Sequence, residues 1–386
     1  MRGGMPVPEP KNYSEISPVD LRNPFQNPTE EPDYAPDYRD IVPNLELPES
    51  RLQLIPPPEE KRMIRRYYSL VFFMLLFAFF SATSVYVALQ MLIGVILRQV
   101  DIRKLGELPG NYQMIVQQYM DDSSISLAIN LIAFLSCNLI AFWVGCKITG
   151  VTAKECIGKR ETVRKCGIPR MFGYMMTGLW LQFVLSMLGE GVIRLCSRIG
   201  VTIYTPEMTA GKSPLRICML VLYGCIVAPI TEELLLRGIA LKNLSRVSQR
   251  FGILCSALLF GVMHENLPQF LFTFPLGIFL AYITIQHNSI FPAIIVHMTV
   301  NTFSVCADLA QSFFPQYMHN ADLIYSLVML ALGSICFFYF AVTERLPDNT
   351  PHQSIRSFRI AAASPLLWAL LGVHIGTAVL AAMQVI

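Results

Sequence analysis

The chain has 386 residues, of which 53% are hydrophobic and 15% are charged, and its mean hydropathy is +0.47. Soluble globular domains carry about 25% charged residues, and several apolar runs here exceed the roughly 18 residues that cross a bilayer as a helix. The net charge of +3 is too small to indicate nucleic acid as a partner. The composition therefore predicts an all-α, polytopic transmembrane helix bundle, a multi-pass protein of the cell membrane whose surroundings are the lipid bilayer.

The first 60 residues differ from the rest in composition. They hold about half of the 25 prolines and few long apolar runs, so they cannot bury enough apolar surface to offset the entropy of ordering. We expect residues 1–60 to form a disordered, proline-rich cytoplasmic tail. The echo PDYAPDY at 32–38 leaves open a tyrosine-containing docking segment for a partner protein.

Apolar segments follow the tail at regular intervals, and we count eight to nine spans. The boundary between the fifth and the sixth, near HENLPQF, is not fixed by the pattern. The predicted spans are about 67–97, 124–146, 171–195, 215–236, 251–268, 269–286, 290–309, 322–342 and 364–385.

Basic residues predict the orientation of these spans, because Lys and Arg are enriched in cytoplasmic loops. They gather in the segments 61–66, 147–165, 237–250 and 343–359. With a cytoplasmic amino terminus, all four segments face the cytoplasm.

The fourth span contains TEELLLR, an unusual set of charges for a buried helix. Glu233 and Arg237 are four residues apart and share a helix face, so they can pair. Glu232 points about 100° away and lacks that partner. Pro229 removes one backbone donor and predicts a kink, which membrane helices tolerate beside a wet cavity.

Two later apolar segments each carry a histidine one turn away from another residue of the motif. FGVMHEN places Phe260 and His264 on one face, with Gly261 beside them permitting close helix approach. HMTVN places His297 and Asn301 on one face in the same way. Each group alone has a structural interpretation, but together they form a complementary catalytic set. The pair Glu190–Arg194 and the single His374 are expected to serve packing or the membrane interface.

Three motifs in this order resemble the CPBP family of intramembrane proteases, which includes the type II CAAX-prenyl endopeptidases and the bacteriocin-processing and immunity (Abi) proteins. The family pattern EExxxR, FxxxH, HxxxN corresponds here to Glu232-Glu233…Arg237, Phe260…His264 and His297…Asn301. Leu236 stands where the family often has an aromatic residue. The resemblance covers about 170–310.

The resemblance implies that the chain is an intramembrane endopeptidase of glutamic type acting on a membrane-embedded or prenylated protein or peptide. Glu232 would be the general base that activates water, and His264 would orient it. His297 and Asn301 would donate hydrogen bonds to the oxyanion of the scissile carbonyl. Glu233 and Arg237 would hold the helix and the charge balance.

Three alternatives stay open at this point. Family members have been described as metalloproteases, so zinc held by Glu232, His264 and His297 is the alternative to a mechanism without cofactor, although HExxH is absent. A non-proteolytic scaffold or regulatory protein of the same fold is the second. A transporter is the third, although the chain shows no internal repeat of paired broken helices.

These expectations divide the chain into four parts. After the tail come two amino-terminal spans with a basic loop at 61–168. The family-like catalytic core occupies 169–310. Two carboxyl-terminal spans at 311–386 complete the chain.

Overall fold

The computed structural model describes residues 58–96, 125–160, 166–201, 203, 213–344 and 351–383. The tail predicted for residues 1–60 lies almost wholly outside this part, so that expectation stays a prediction. Within the described residues the chain is helical, with one isolated bridge between Gly158 and Ser289 and no strand. The prediction of an all-α fold is confirmed.

Eleven helices are described, and we number them α1 to α11 in chain order. They are α1 Pro58–Ile96, α2 Ile125–Thr149, α3 Ala153–Ile157, α4 Ile168–Arg198, α5 Pro214–Leu244, α6 Gln249–Val262, α7 Leu267–His287, α8 Phe291–Phe313, α9 Pro315–Thr343, α10 Pro351–Ala362 and α11 Pro365–Met383.

Eight of these helices are long and apolar enough to cross a membrane, namely α1, α2, α4, α5, α7, α8, α9 and α11. Each coincides with one predicted span, so the multi-pass prediction is confirmed. The predicted fifth span, 251–268, is the shorter helix α6, which ends at Val262. Its 14 residues correspond to about 21 Å, less than the roughly 30 Å of a hydrocarbon core.

The bundle has two main apolar cores. The first joins α1, α2, α5, α6 and the carboxyl-terminal helices around residues such as Phe72, Leu235 and Phe260. The second joins α4, α7, α8 and α9 around Tyr174 and Leu280. Side chains of α5 and α8 meet between these two cores.

Glycine permits the close approach of α6 and α7. A Cβ added at Gly261 would lie 2.9 Å from the Phe270 ring, and one at Gly277 would lie 3.1 Å from the Cα of Ala257. The predicted packing role of Gly261 is thereby confirmed. This contact fixes the turn 263–266 that joins the two helices.

Contacts between distant loops gather the basic segments at one end of the bundle. Arg246 donates to the carbonyl of Thr149 over 3.4 Å, and its guanidinium lies 3.9 Å from the centre of the Tyr67 ring. The hydroxyls of Ser69 and Ser364 are 2.8 Å apart. The segments around α1, α2, α5 and α10 thus share one side, as the charge pattern predicts. That this side is the cytoplasm stays a prediction.

Candidate active site

Helix α5 departs from α-helical geometry on both sides of the glutamate pair. Two π-helical segments, Leu222–Val227 and Leu234–Leu241, flank the α-helical turn Ala228–Glu233. Pro229 has no backbone N–H to donate, and the first π-helical segment ends just before it. Insertions of this kind are frequent at functional sites because they re-aim the side chains that follow.

Glu233 is a structural anion at the centre of the bundle. Its side chain is fully buried and lies 3.1 Å from Nη1 of Arg237, which is also fully buried. The Arg237 guanidinium stacks 4.5 Å from the centre of the Phe260 ring, and its Nη2 donates to the carbonyl of Gly277 over 3.4 Å. The predicted pairing of Glu233 with Arg237 is confirmed, and the arginine ties α5 to both α6 and α7.

His297 connects the two adjacent glutamates. Its Nδ1 lies 2.9 Å from Oε1 of Glu233, a hydrogen bond, whereas its Nε2 lies 3.8 Å from Oε2 of Glu232. The second distance is beyond a hydrogen bond. Because a carboxylate only accepts, Nδ1 donates, and the bond to Glu233 aims the opposite nitrogen toward Glu232.

Glu232 lines a cavity of about 350 Å³, together with His264. Its side chain keeps 22% of its surface exposed, against none for Glu233. Nδ1 of His264 donates to the carbonyl of Phe260 over 2.8 Å. In the neutral ring this leaves Nε2 as an acceptor. Glu232 and His264 therefore face one space that has room for water and substrate.

Asn301 occupies a different position from the cavity groups. Its side-chain amide donates to the carbonyl of Gly224 over 2.9 Å and so holds α8 against the first π-helical segment of α5. Neither Asn301 nor His297 is among the residues that line the cavity. The side chains of Glu190 and Arg194 lie 3.2 Å apart on the surface, and both are exposed.

Several polar lining residues were missed by the sequence interpretation. They are Tyr86, Asn130, Asn138, Tyr223 and Glu265. Two amides eight residues apart in the apolar helix α2 share a face, and that spacing was an available signal. His374, expected to serve packing, also lines this cavity. The other lining residues are mostly apolar and include Ala78, Phe79, Ala82, Phe134, Leu235 and Leu236.

The described ranges bring no three His, Cys, Asp or Glu side chains together as a group that could hold a metal ion. Nδ1 of His297 is bonded to Glu233 and Nδ1 of His264 to a backbone carbonyl, and these bonds leave Nε2 of each ring free, as in histidine ligands of a metal. The alternative set Glu232, His264 and His297 does not form such a group.

Comparison with known proteins finds the same central segment. Residues 214–303 match the family model described as Type II CAAX prenyl endopeptidase Rce1-like. The central segment is Rce1-like. The match begins at α5 and ends within α8, so it contains all three motifs, and the resemblance drawn from them is confirmed. Helices α1 to α4 and α9 to α11 lie outside the Rce1-like segment. The match is thus shorter than the predicted 170–310, because it does not include α4.

One curated relative shares part of the chain. "Putative membrane peptidase YdiL" of Bacillus subtilis (strain 168) is 29% identical over 92 residues, which are 24% of this chain and 38% of the relative. The chain thus spans less than two fifths of that relative's length. No solved structure matches the chain significantly.

Proposed function

We propose that the chain is an intramembrane endopeptidase in which Glu232 is the general base. One observation carries this proposal. Of two adjacent glutamates, Glu233 is fully buried and shared by Arg237 and His297, whereas Glu232 lines a cavity together with His264. A structural ion pair needs only Glu233, so Glu232 is available for chemistry.

The reaction follows from the groups that face the cavity. Glu232 accepts a proton from a water molecule while the water oxygen bonds to the carbonyl carbon of the substrate peptide. His264 holds that water through Nε2, because its Nδ1 is occupied by Phe260. The carbon–nitrogen bond then breaks, and Glu232 returns the proton to the leaving amine. The products are a carboxylic acid and an amine.

Stabilisation of the oxyanion falls to His297 in its doubly protonated form, which donates to Glu233 through Nδ1 and to the oxyanion through Nε2. Asn301 is the second donor that the sequence motif implies. Glu233 fixes the ring of His297 and directs Nε2 toward Glu232. Donors aimed at developing charge in a site shielded from water supply a large share of catalysis in acyl transfer. To reach the oxyanion, Asn301 has to exchange its bond to Gly224 for one to the substrate.

The substrate we propose is a membrane-embedded or prenylated peptide. Half of the lining residues that α1, α2 and α5 contribute are apolar, among them Phe79, Phe134 and Leu235, and these suit an apolar side chain or a lipid group. The name of the matching family points to prenylated peptides. We propose a mechanism without a metal, and zinc held by Glu232, His264 and His297 is the alternative that a chelator experiment tests.

The test compares new protein amino termini in host membranes that contain wild-type protein, Glu232→Gln, Glu190→Gln or no protein. Glu190 is the control, a glutamate in a membrane-spanning helix that is exposed on the surface and is not among the residues that line the cavity. We expect cleavage products with the wild type and Glu190→Gln only. Products that persist with Glu232→Gln would show that another residue is the base or that the protein acts by binding.

A purified assay complements this experiment and supplies a defined substrate. The full chain in lipid nanodiscs is incubated with a fluorescent farnesylated peptide and with the same peptide lacking the lipid. Cleavage of the farnesylated peptide alone would assign the lipid-binding role to the apolar cavity. Cleavage of both would place recognition in the peptide.

A further inference from the structure

The last helix brings a histidine into the cavity from outside the Rce1-like segment. His374 on α11 is 2% exposed and lines the same cavity as Glu232 and His264. Helix α11 packs against α1, and neither helix lies within residues 214–303. The cavity is therefore completed by a titratable side chain that the three motifs do not include.

Two neighbours fix the ring of His374. Its Nδ1 lies 2.8 Å from Oε1 of Glu265, and its ring meets the Phe79 ring edge-on at 4.7 Å between centres. Glu265 follows His264 directly and has a positive φ of 56° in the turn between α6 and α7. Few side chains adopt that backbone region, so the turn holds the Glu265 carboxylate toward α11 at some conformational cost.

The second ring nitrogen of His374 is left without a partner. Nδ1 donates to the carboxylate, because a carboxylate only accepts. Nε2 is buried and has no hydrogen-bond partner among the described residues. Buried polar atoms nearly always have a partner, and leaving one unmet is destabilising. A fixed ring with an unmet nitrogen, on a residue that lines a cavity, is the arrangement expected of a ligand-binding group. Because Nε2 is closed to solvent here, a ligand reaches it when the neighbouring side chains move apart.

A peptide main chain is the ligand that this arrangement fits. A polypeptide segment that enters an apolar cavity carries backbone N–H and C=O groups, and each needs a hydrogen bond once water is removed. Apolar lining residues supply none of these bonds, so the bonds fall to the polar ones, and among those His374 has the buried atom without a partner. An imidazole Nε2 accepts from an N–H when neutral and donates to a C=O when protonated.

We propose that His374 is a specificity-determining residue whose Nε2 hydrogen-bonds the main chain of the peptide substrate, with Glu265 as its positioning residue. This inference rests on the proposed peptidase function. It assigns substrate binding to α11, while the chemistry belongs to α5, α6 and α8.

The alternative role of the pair is purely structural, a tie between α11 and the turn 263–266. His374→Asn separates the two roles, because its amide nitrogen reaches the position of Nδ1 and keeps a donor for Glu265, while nothing replaces Nε2. His374→Gln does the opposite and places an amide near Nε2. His319→Asn on α9 is the matched control, since His319 is exposed and far from the lining residues.

The measurement uses the full chain in lipid nanodiscs and two fluorescent probes, a farnesylated peptide and the same peptide without the lipid. Binding is measured by anisotropy in the Glu232→Gln background, where turnover is blocked, and KM and kcat are measured in the wild-type background. We expect His374→Asn to weaken binding and raise KM about tenfold with kcat little changed, the scale of one lost hydrogen bond. His374→Gln should retain more binding than His374→Asn, and His319→Asn should match the parent.

The outcomes separate this inference from the proposed function. Parental binding and KM in His374→Asn, with cleavage intact, would overturn the inference alone. Weakened binding in His374→Asn, without any cleavage by the wild type, would support the inference and refute the peptidase. A parent that binds neither probe would overturn both. If His374→Asn fails to fold, binding by His374→Gln that equals or exceeds half of the parental affinity supports the inference, and its complete loss overturns it.

Discussion

Nδ1 of His297 lies 2.9 Å from Oε1 of Glu233, the same oxygen that Nη1 of Arg237 approaches to 3.1 Å. One carboxylate oxygen thus neutralises an arginine and orients a histidine. The glutamate, the arginine and the histidine are almost completely buried. The adjacent Glu232 points elsewhere on the helix, so two neighbours in the sequence have separate environments.

Because the environments differ, the same substitution of glutamate by glutamine should have a large effect on stability at Glu233 and a small one at Glu232. Glu233→Gln removes the charge that balances Arg237, and removing one partner of a buried ion pair costs about 3–5 kcal/mol. Glu232→Gln removes a charge that faces a cavity, so the fold should keep close to its wild-type stability. The thermal unfolding midpoint of each purified variant in detergent measures the difference.

Activity provides the control for this comparison. Glu232→Gln should be folded and inactive. Glu233→Gln should lose folded protein, and the protein that stays folded should be less active because the carboxylate that orients His297 is gone. A Glu233→Gln variant as stable as the wild type would contradict the structural role of the buried pair. A stable, active Glu232→Gln variant would contradict the assignment of the base.

Local features of this site could be predicted from the sequence. Spacing of four residues on a helix places Glu233 with Arg237 and Phe260 with His264, and a spacing of one separates Glu232 from Glu233. These relationships follow from helical spacing, and they persist although Arg237 lies in a π-helical segment and His264 lies in the turn after α6.

Features that depend on packing between distant elements could not be predicted. His374 meets Glu265 across 109 positions in the chain, and no local period indicates such a contact. The π-helical segments of α5 shift side chains by an inserted residue, which a pattern of apolar residues does not show. The length of α6 was missed because the apolar pattern resumes in α7 after only the four residues 263–266, so the two helices have the appearance of adjoining spans.

Arg237 is predicted to be irreplaceable by lysine. Its planar guanidinium pairs with Glu233, reaches the carbonyl of Gly277 and stacks on Phe260. A lysine ammonium is a point charge that cannot stack in this way. Arg237→Lys should lower stability by about 1–3 kcal/mol, the range for losing buried polar contacts. Arg194→Lys on the surface is the control, with an expected change within about 0.5 kcal/mol.

The measurement for Arg237→Lys is again thermal unfolding, combined with peptide cleavage at a temperature where the variant is folded. Activity should fall together with stability, because the arginine acts through Glu233 and the orientation of His297. A variant of wild-type stability with normal cleavage would show that charge alone is sufficient at this position.

Gly158 provides a further stability prediction, at the end of the bundle where the basic segments gather. Its φ is +74° with ψ −171°, a region that is essentially restricted to glycine. A Cβ there would lie 2.3 Å from the carbonyl oxygen of Asn288. Gly158→Ala should therefore destabilise the protein by strain and by a clash with backbone, each about 1–3 kcal/mol.

Gly150 is the matched control for this substitution. Its φ is +72°, but a Cβ there would have no atom within 4 Å, so Gly150→Ala carries strain without a clash. The thermal midpoint of Gly158→Ala should be the lower of the two. Equal midpoints would mean that the backbone of α3 and of the loop before α8 moves apart without a loss of stability.

The response to chelators distinguishes the two mechanisms that the motifs allow. A mechanism in which Glu232 activates water directly needs no metal, so cleavage of the farnesylated peptide should survive prolonged treatment with 1,10-phenanthroline and EDTA. The inactive isomer 1,7-phenanthroline controls for effects of the aromatic compound on the nanodisc. A zinc enzyme would lose activity with 1,10-phenanthroline and recover it when Zn²⁺ is added, since structural and catalytic zinc sites depend on the bound ion. Recovery of this kind would overturn the metal-free mechanism and return Glu232, His264 and His297 to the role of ligands.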